Sequence, residues 1–192
     1  MSAAEFVVTT SDEMTALGER LGAVLRRGDL VVLSGELGAG KTTLTRGIGA
    51  GMRVRGPVTS PTFVLSRVHP ALDGTGVPLV HVDAYRLGSA LELLDLDLDF
   101  AGAAVVVEWG EGLLDGVTDS WLLVRIERGL GAGSASPSGG ELDEWRAAEH
   151  DSPATGGIAR HSVDDAEFDG DAPRTVRLEG HGPAWADLRG LA

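Results

Sequence analysis

One short stretch combines glycines with a lysine and a threonine at a spacing suited to holding phosphate. Residues 35–42 read Gly-Glu-Leu-Gly-Ala-Gly-Lys-Thr, which matches the pattern G-x-x-x-x-G-K-[ST]. Glycines permit the backbone angles that turn successive N–H groups inward around an anion. Lys41 can reach the β- and γ-phosphates, and the Thr42 hydroxyl can bind Mg²⁺. The stretch therefore predicts a site for ATP with magnesium, formed by Gly35, Gly38, Ala39, Gly40, Lys41 and Thr42.

The use of lysine points to the same stretch. Of the 16 basic residues in the chain, only Lys41 is a lysine, and all the others are arginines. A compact ammonium can reach between phosphate groups, which the bulkier guanidinium does less well. The retention of lysine at this one position supports a phosphate-binding role for Lys41.

Two acidic residues follow apolar stretches that are typical of buried β-strands. Asp83 ends a stretch over residues 77–82, and Glu108 ends one over residues 103–107. Ligands of open α/β sheets collect at the carboxyl ends of strands, and a phosphate-binding loop needs a carboxylate to hold the metal or its water shell. We therefore expect Asp83 and Glu108 to act at the metal. Other nearby acids lack that placement and are expected to be solvated: Asp95, Asp97, Asp99, Glu111 and Asp115.

A loop with two hydroxyl groups follows the helix predicted over residues 41–51. Ser60 and Thr62 flank Pro61, at a distance along the chain that would let this loop cover the γ-phosphate. Such hydroxyls can sense the γ-phosphate or position the attacking water. An ordinary turn with proline at its bend explains the same residues equally well. The residue types alone leave both interpretations open.

The histidines and Trp109 give weaker signals. The histidines show no paired spacing typical of a metal site, so they are expected at the surface or in the core. They are His69, His81, His150, His161 and His181. Trp109 is either a core residue or a platform beside a nucleotide, and the core is favoured because tryptophan is mostly buried.

Periodic patterns predict the elements that position these residues. Strands and helices alternate along much of the chain, which is typical of the α/β class. Thr10 and Glu13 match a capping box at the start of the first helix, and Gly28 fits its end. The other predicted helices cover residues 41–51, 90–98 and 184–191. The predicted strands cover residues 5–10, 30–33, 63–68, 77–82, 103–107, 121–126 and 174–179.

A change of composition divides the chain. Residues 129–173 are rich in Gly, Ser and Ala, and they contain ten acidic residues against two arginines. Such a segment lacks the apolar residues that a core requires, so we predict a disordered insertion without chemistry of its own. The predicted nucleotide-binding domain then consists of residues 1–128 and 174–192.

Bulk composition excludes several classes of function. A net charge of -13 repels phosphate backbones, so direct binding of nucleic acid is not expected without a partner. The lack of cysteine excludes disulfides, thiolate metal sites and a cysteine nucleophile. Residues 1–10 lack the features of a signal peptide, and no stretch approaches the ~20 apolar residues of a membrane span. We therefore expect a cytoplasmic protein without membrane association.

Four motifs together resemble a known family. They are Gly-Glu-Leu-Gly-Ala-Gly-Lys-Thr-Thr at residues 35–43, Ser-Pro-Thr-Phe at 60–63, His-Val-Asp-Ala-Tyr-Arg-Leu at 81–87 and Val-Glu-Trp at 107–109. In this order they resemble the TsaE (YjeE) family of bacterial ATPases over residues 5–126. The resemblance implies a P-loop NTPase fold with a central, largely parallel β-sheet flanked by helices. It also implies an ATPase needed for N6-threonylcarbamoyladenosine at position 37 of tRNAs that read ANN codons, working with the transferase TsaD and its paralogue TsaB and serving tRNA only indirectly.

The resemblance implies a role for each matching position. Residues 38–43, which include Thr43, would hold the phosphates, Thr42 and Glu108 would bind Mg²⁺, and Asp83 would act near the metal or the attacking water. Ser60 and Thr62 would lie in a switch-like loop, and Trp109 and Glu13 would lie near the nucleotide. The expected catalytic residues are then Lys41, Thr62, Asp83 and Glu108. Two departures from the family pattern are Gly110, where proline is expected, and the insertion at residues 129–173.

Two other functions are compatible with the residues. A P-loop kinase for a small metabolite would need an arginine-bearing lid, and the only long insertion offers Arg146 and Arg160 in an acidic, glycine-rich context. A nucleotide-gated switch with negligible hydrolysis would need only the loop. Asp83 and Glu108 favour chemistry over a pure switch.

Overall fold

The computed structural model describes residues 2–113, 118–129, 172–188 and 190–191. Its strands are β1 (Ser2–Val8), β2 (Leu30–Gly35), β3 (Ser66–His69), β4 (Leu79–Asp83), β5 (Ala104–Glu108), β6 (Trp121–Arg128) and β7 (Arg174–His181). Its helices are α1 (Ser11–Val24), α2 (Lys41–Gly51) and α3 (Ala90–Leu94), and a 3₁₀ turn covers Pro183–Trp185. The class is α/β, as predicted.

The strands form one mixed sheet in the order β1-β7-β6-β2-β5-β4-β3. The central pairs β6–β2, β2–β5 and β5–β4 are parallel, and the outer pairs β1–β7, β7–β6 and β4–β3 are antiparallel. The prediction of a largely parallel sheet is therefore wrong for the edges. There β6 and β7, and likewise β3 and β4, are consecutive strands that pair antiparallel. The parallel centre is fully buried, since every residue of β4 and β5 lies in the core.

Helices α1 and α2 cover one face of the sheet and pack closely on each other through glycines. A Cβ atom on Gly18 would lie 2.3 Å from the Leu44 carbonyl oxygen, and one on Gly47 would lie 2.2 Å from that of Thr15. Only residues without side chains allow backbones this close. The pairing of Thr15 with Gly47 and of Glu19 with Gly51 shows that the two helices run in the same direction.

The opposite face is covered by α3 and the chain that follows it. The predicted helix over residues 90–98 is wrong beyond Leu94, where α3 ends. Apolar and acidic residues alternate from there, so Leu96, Leu98 and Phe100 pack on the core while the acids between them are exposed. That period of two does not suit a helix, and Asp97 adopts a left-handed conformation with φ 50°.

Two other predicted elements differ from the structure. The strand expected from residue 63 begins only at Ser66, because residues 63–65 form a turn in which the Pro61 carbonyl accepts hydrogen bonds from the amides of Val64 and Leu65, both at 2.8 Å. The helix expected over residues 184–191 is absent from its described residues, where the 3₁₀ turn places Trp185 fully in the core.

The predicted insertion at residues 129–173 begins and ends at the β6–β7 hairpin. Arg128 pairs with Arg174 in the strand register, and the Gly129 amide donates a hydrogen bond of 2.8 Å to the Pro173 carbonyl. Residues 130–171 lie outside the described residues, so the predicted disorder stays a prediction. Within the described ranges, each helix falls short of the length and apolar content that a bilayer crossing requires.

Candidate functional site

The glycine-rich loop, residues 35–40, connects β2 to α2. Gly38 has φ 72° and Gly40 has φ 110°, values that favour glycine. Gly35 has φ 153°, and a Cβ atom there would lie 2.6 Å from the Ile126 carbonyl oxygen on the neighbouring strand. The loop therefore requires its glycines for conformation and for close packing. Lys41 begins α2 immediately after it.

The remaining predicted phosphate-binding residues lie at the same junction. Ala39 is fully buried, and its amide donates a hydrogen bond of 3.1 Å to the Glu36 carbonyl within the loop. Thr42 and Thr43 lie in the first turn of α2 and are buried. The amino end of a helix presents free N–H groups and a partial positive charge. The strand, loop and helix together form an arrangement suited to an anion.

The Lys41 side chain lies between the loop and an indole ring. Its Nζ donates hydrogen bonds to the carbonyls of Gly35 (2.8 Å) and Glu36 (2.9 Å), and it lies 3.6 Å from the centroid of the Trp109 ring. Burial lowers the pKa of Lys41 to about 8, since it outweighs the raising effects of Glu108 and Asp83. The ammonium is thus held close to the loop and remains charged at neutral pH.

Glu108 is the centre of a buried cluster. The Thr42 hydroxyl lies 3.0 and 3.2 Å from its two carboxylate oxygens, and Nε2 of His81 lies 2.8 Å from Oε1. Only 3% of Glu108 and none of His81 is exposed. Each of the three side chains projects from a helix or strand, namely α2, β4 and β5. The position of the carboxylate is therefore determined by secondary structure.

Asp83 is held in a different way. It pairs with Glu108 in the β4–β5 register, which places the two acids side by side. Its Oδ2 accepts a hydrogen bond of 2.5 Å from the Thr62 hydroxyl, which in turn lies 2.7 Å from the Ser60 hydroxyl. Its Oδ1 accepts one from the Tyr85 amide at 3.0 Å. The hydroxyl loop, residues 60–62, thus contacts the second carboxylate directly.

Trp109 occupies an unusual position for a residue expected in the core. Its φ of 62° is left-handed, a conformation that costs energy for a bulky residue and is often found at functional sites. Its ring contacts Tyr85 edge-on, with centroids 5.3 Å apart, besides lying under Lys41. The adjacent Gly110 has no room for a side chain, because a Cβ atom would lie 2.6 Å from Cγ1 of Val107.

Glu13 lies outside this network. It is exposed in the first turn of α1, where its carboxylate accepts hydrogen bonds from the Thr9 amide (2.6 Å) and the Thr9 hydroxyl (2.8 Å), which lower its pKa. Because α1 runs in the same direction as α2, the amino ends of the two helices point the same way. A role of Glu13 at the nucleotide stays a prediction.

Sequence reasoning missed several side chains at the site. His81 was expected at the surface or as an ordinary core residue, yet it contacts Glu108. Its position two residues before Asp83 on a strand, and hence on the same face, was the available signal. Arg86 donates to the Thr62 carbonyl, and Arg128 donates to the Leu37 carbonyl at 3.3 Å. These contacts join distant parts of the chain and have no local signature.

Glu111 is exposed, as predicted, and it also makes contacts that the sequence did not indicate. It accepts a hydrogen bond from Ser34 at the end of β2 and forms an ion pair of 2.5 Å with Arg125, while 40% of its side chain is exposed. Arg125 also lies 3.4 Å from Glu179. Glu111 therefore links the end of β2 to β6 and lies outside the Glu108 cluster.

The residues present fit both phosphate and magnesium. Positive φ angles and missing side chains make room for an anion at the loop, and Lys41 supplies charge. Thr42 and Glu108 bring hard oxygen donors together, as Mg²⁺ prefers. No group of three His, Asp or Glu side chains in the described ranges could hold a metal by itself. Magnesium usually combines one or two carboxylates with substrate phosphates and water, so the pair suffices.

Known proteins share sequence with this chain over the residues that form the site. The family model described as "Threonylcarbamoyl adenosine biosynthesis protein TsaE" matches residues 8–132. The TsaE protein of Streptomyces coelicolor is 61% identical over 121 residues, covering 62% of this chain and 81% of that protein. TsaE of Mycobacterium tuberculosis is 53% identical over 126 residues, covering 61% and 74%.

A solved structure shows the same fold. The crystal structure of YdiB from Bacillus subtilis aligns with a TM-score of 0.62 and 22% sequence identity, covering 98% of this chain and 91% of that chain. The family match spans β2, the glycine-rich loop, both carboxylates and the hydroxyl loop, and it also includes Glu13. The chain belongs to the TsaE family of threonylcarbamoyl adenosine biosynthesis proteins.

Proposed function

We propose that this protein is a P-loop NTPase that binds and hydrolyses ATP with Mg²⁺, in support of threonylcarbamoyladenosine formation on tRNA. The observation that carries the proposal is the Thr42–Glu108 contact of 3.0 Å beside a glycine-rich loop that is followed directly by the only lysine of the chain. A hydroxyl and a carboxylate placed together beside a phosphate-binding loop are what a magnesium–nucleotide site needs.

The side chains have separate tasks in this reaction. Lys41 binds phosphate oxygens, which are stronger acceptors for an ammonium than the carbonyls of Gly35 and Glu36. Thr42 and Glu108 would hold Mg²⁺, which neutralises charge on the phosphates. Asp83, with Thr62 on its Oδ2, positions the attacking water or accepts its proton. The buried carboxylates act where water is scarce, so their charges are little screened.

The family match supports a role in the threonylcarbamoyladenosine pathway, and we propose that this protein works with partners there. They are a TsaD-like transferase and its TsaB-like paralogue, which carry the tRNA chemistry at position 37. A net charge of -13 agrees with an ATPase that reaches tRNA only indirectly. The proposed location is the cytoplasm.

The decisive experiment measures ATP hydrolysis by the purified full chain, alone and with purified TsaD and TsaB homologues. We expect slow turnover alone, stimulation by the partners, and loss of both in Lys41→Ala. Binding of a fluorescent ATP analogue, measured in parallel, reports whether the loop takes nucleotide at all.

Other outcomes would redirect the proposal. Nucleotide binding without hydrolysis in either condition would indicate a switch, and survival of turnover in Glu108→Ala would contradict the catalytic assignment. A phosphorylated small molecule found in a screen of metabolites would indicate a kinase. Failure to bind ATP would overturn the proposal as a whole.

A further inference from the structure

The distribution of charge is uneven in a way that the ATP site does not explain. The chain has 29 acidic residues, yet residues 37–72 contain none. The same stretch contains Lys41 and four arginines: Arg46, Arg53, Arg55 and Arg67. Only Lys41 belongs to the site described above. A strongly acidic protein therefore contains one extended segment that is purely basic.

The fold gathers these arginines around one edge of the sheet. The Arg55 amide donates to the Pro70 carbonyl at 2.8 Å, and the Leu72 amide donates to the Arg53 carbonyl at 2.8 Å. These bonds, with the bridge between Val54 and Ala71, attach the chain after α2 to the end of β3.

Two further contacts extend this surface to α2. The Arg67 guanidinium donates a hydrogen bond of 2.8 Å to the Thr59 hydroxyl. A groove of about 570 Å³ is lined by Arg46 on α2 and by residues that include 54 and 56–59. Arg46 lines this groove, Arg67 contacts its lining residue Thr59, and Arg53 and Arg55 lie on the segment between α2 and β3 that supplies much of its lining.

Large apolar side chains are exposed on the same part of the chain. Phe63 is 79% exposed and Val64 57%, both in the turn before β3, while Val68 on β3 is 61% exposed and Leu72 after it 54%. Single exposed apolar residues are normal, but several close together mark an interaction site. Arg67 and Val68 are consecutive on β3 and project to opposite sides of the sheet, so these residues surround the edge of the sheet at β3. We call these four residues, with Arg46, Arg53, Arg55 and Arg67, the arginine face.

The position of β3 adds a third property. It is the last strand of the sheet, paired with β4 on one side only among the described strands. An edge strand offers backbone N–H and C=O groups to a strand of another protein. The arginine face thus combines charge, apolar area and open backbone.

The composition of the face indicates what covers it. Arginine and aromatic residues are enriched at the centres of protein interfaces, and the arginine face combines four arginines with Phe63. A nucleic acid would have to approach a molecule with a net charge of -13, which repels it at long range. An acidic protein surface with apolar residues complements the face, and it is not a polyanion as a nucleic acid is.

We propose that the arginine face docks a protein partner whose surface carries acidic side chains around apolar ones. The proposal rests on the proposed function, because the docked partner is then the one that stimulates ATP hydrolysis. The face borders the hydroxyl loop: Phe63 follows Thr62, whose hydroxyl contacts Asp83 and whose carbonyl accepts from Arg86. A partner that contacts Phe63 and Val64 would therefore act on Asp83 through Thr62.

Matched substitutions on the arginine face and away from it test the proposal. Arg55→Glu and Val68→Ser change the arginine face. Arg26→Glu changes an exposed arginine in the turn before β2, and Val7→Ser changes a valine that is 66% exposed on β1, the opposite edge strand. Fluorescently labelled full chain is titrated with the purified TsaD–TsaB complex at low and high salt, and with a tRNA transcript alone. Affinity for an ATP analogue and thermal unfolding are measured for every variant.

We expect Arg55→Glu and Val68→Ser each to weaken binding of the complex by about tenfold or more, while the two controls bind as the unchanged chain does. The deficit of Arg55→Glu should shrink at high salt, and nucleotide affinity should stay unchanged in all four. Equal binding by all variants would overturn the arginine face and leave the proposed function intact. No binding by the unchanged chain would overturn both, and tRNA binding lost in Arg55→Glu would replace the protein partner with RNA.

Discussion

Glu108 and Asp83 are neighbours in the sheet but are held by different kinds of structure. Glu108 contacts Thr42 on α2 and His81 on β4, both of them on regular elements of the core. Asp83 contacts Thr62, which belongs to a loop between α2 and β3. Buried elements open only with large parts of the fold, whereas loops rearrange at low cost.

The difference suggests a division between the two halves of the site. The half around Glu108 is built into the fold, so its affinity for metal should not depend on partners. The half around Asp83 depends on the hydroxyl loop, which the arginine face adjoins. Under the proposed function, a partner that rearranges the hydroxyl loop would change the rate of hydrolysis without changing magnesium binding, and the substitutions below test that separation.

The largest effect is expected from Glu108→Gln. Groups that only support metal ligands typically account for 10–100-fold in affinity or activity, so loss of a proposed ligand should raise the Mg²⁺ requirement by at least about a hundredfold. The measurement is a Mg²⁺ titration of fluorescent nucleotide binding and of turnover. Glu111→Gln is the matched control, since that acid contacts Ser34 and Arg125 instead. Equal effects of the two substitutions would contradict a special role for Glu108.

A smaller effect is expected from His81→Leu. It removes the buried group 2.8 Å from Glu108, which should weaken Mg²⁺ binding by about tenfold. His81→Gln can still donate a hydrogen bond and should recover part of the loss. Nucleotide affinity without Mg²⁺ and thermal unfolding report any general damage. If the Leu and Gln variants lose the same Mg²⁺ affinity, His81 only fills space.

The hydroxyl loop should affect rate without affecting metal. Thr62→Val keeps the shape of the side chain but removes the bond to Asp83, which should lower kcat by about tenfold, the lower end expected for a hydrogen bond to a charged group. Thr62→Ser keeps the hydroxyl and should stay close to the unchanged chain. Steady-state kinetics over a range of Mg²⁺ concentrations separates the two quantities. A shift in the Mg²⁺ requirement of Thr62→Val would break the proposed division.

The smallest effect concerns the pKa of Lys41, which is about 8. Lys41 is charged below that pH and loses its charge above it. Glu108 raises this pKa more than Asp83 does, so Glu108→Gln should lower it further than Asp83→Asn. Because Lys41 is the only lysine, the pH dependence of its labelling by an amine reagent, followed by peptide mass spectrometry, measures the shift directly. The opposite order would contradict a larger effect of Glu108 than of Asp83 on the ammonium.

Local patterns predicted the parts of the site that are contiguous in sequence. The glycine-rich loop, the strands before Asp83 and Glu108, and the capping of α1 by Thr10, whose hydroxyl accepts from the Glu13 amide at 3.1 Å, all depend on residues a few positions apart. Whether Ser60 and Thr62 form a functional loop could not be decided locally, because the contact with Asp83 spans 21 residues.

The errors have a common physical origin in pairing and packing. Nothing local shows that β7 returns antiparallel to β6, so the edges of the sheet were predicted wrongly. The extension of α3 followed helix-forming residue types and ignored the two-residue alternation through Leu96 and Leu98. His81 was missed because its role depends on which neighbouring strand its side chain faces.

The hydrogen bond between Gly129 and Pro173 joins the two ends of the intervening segment at the base of the β6–β7 hairpin. The register of β6 and β7 runs from the pair Trp121–His181 to the pair Arg128–Arg174 at the base of the hairpin. Each doubling or halving of a loop changes its closure free energy by only about 0.6 kcal/mol. We therefore expect that changing the length of this segment costs little folding free energy. The segment is then a suitable place for a tag or a fused domain.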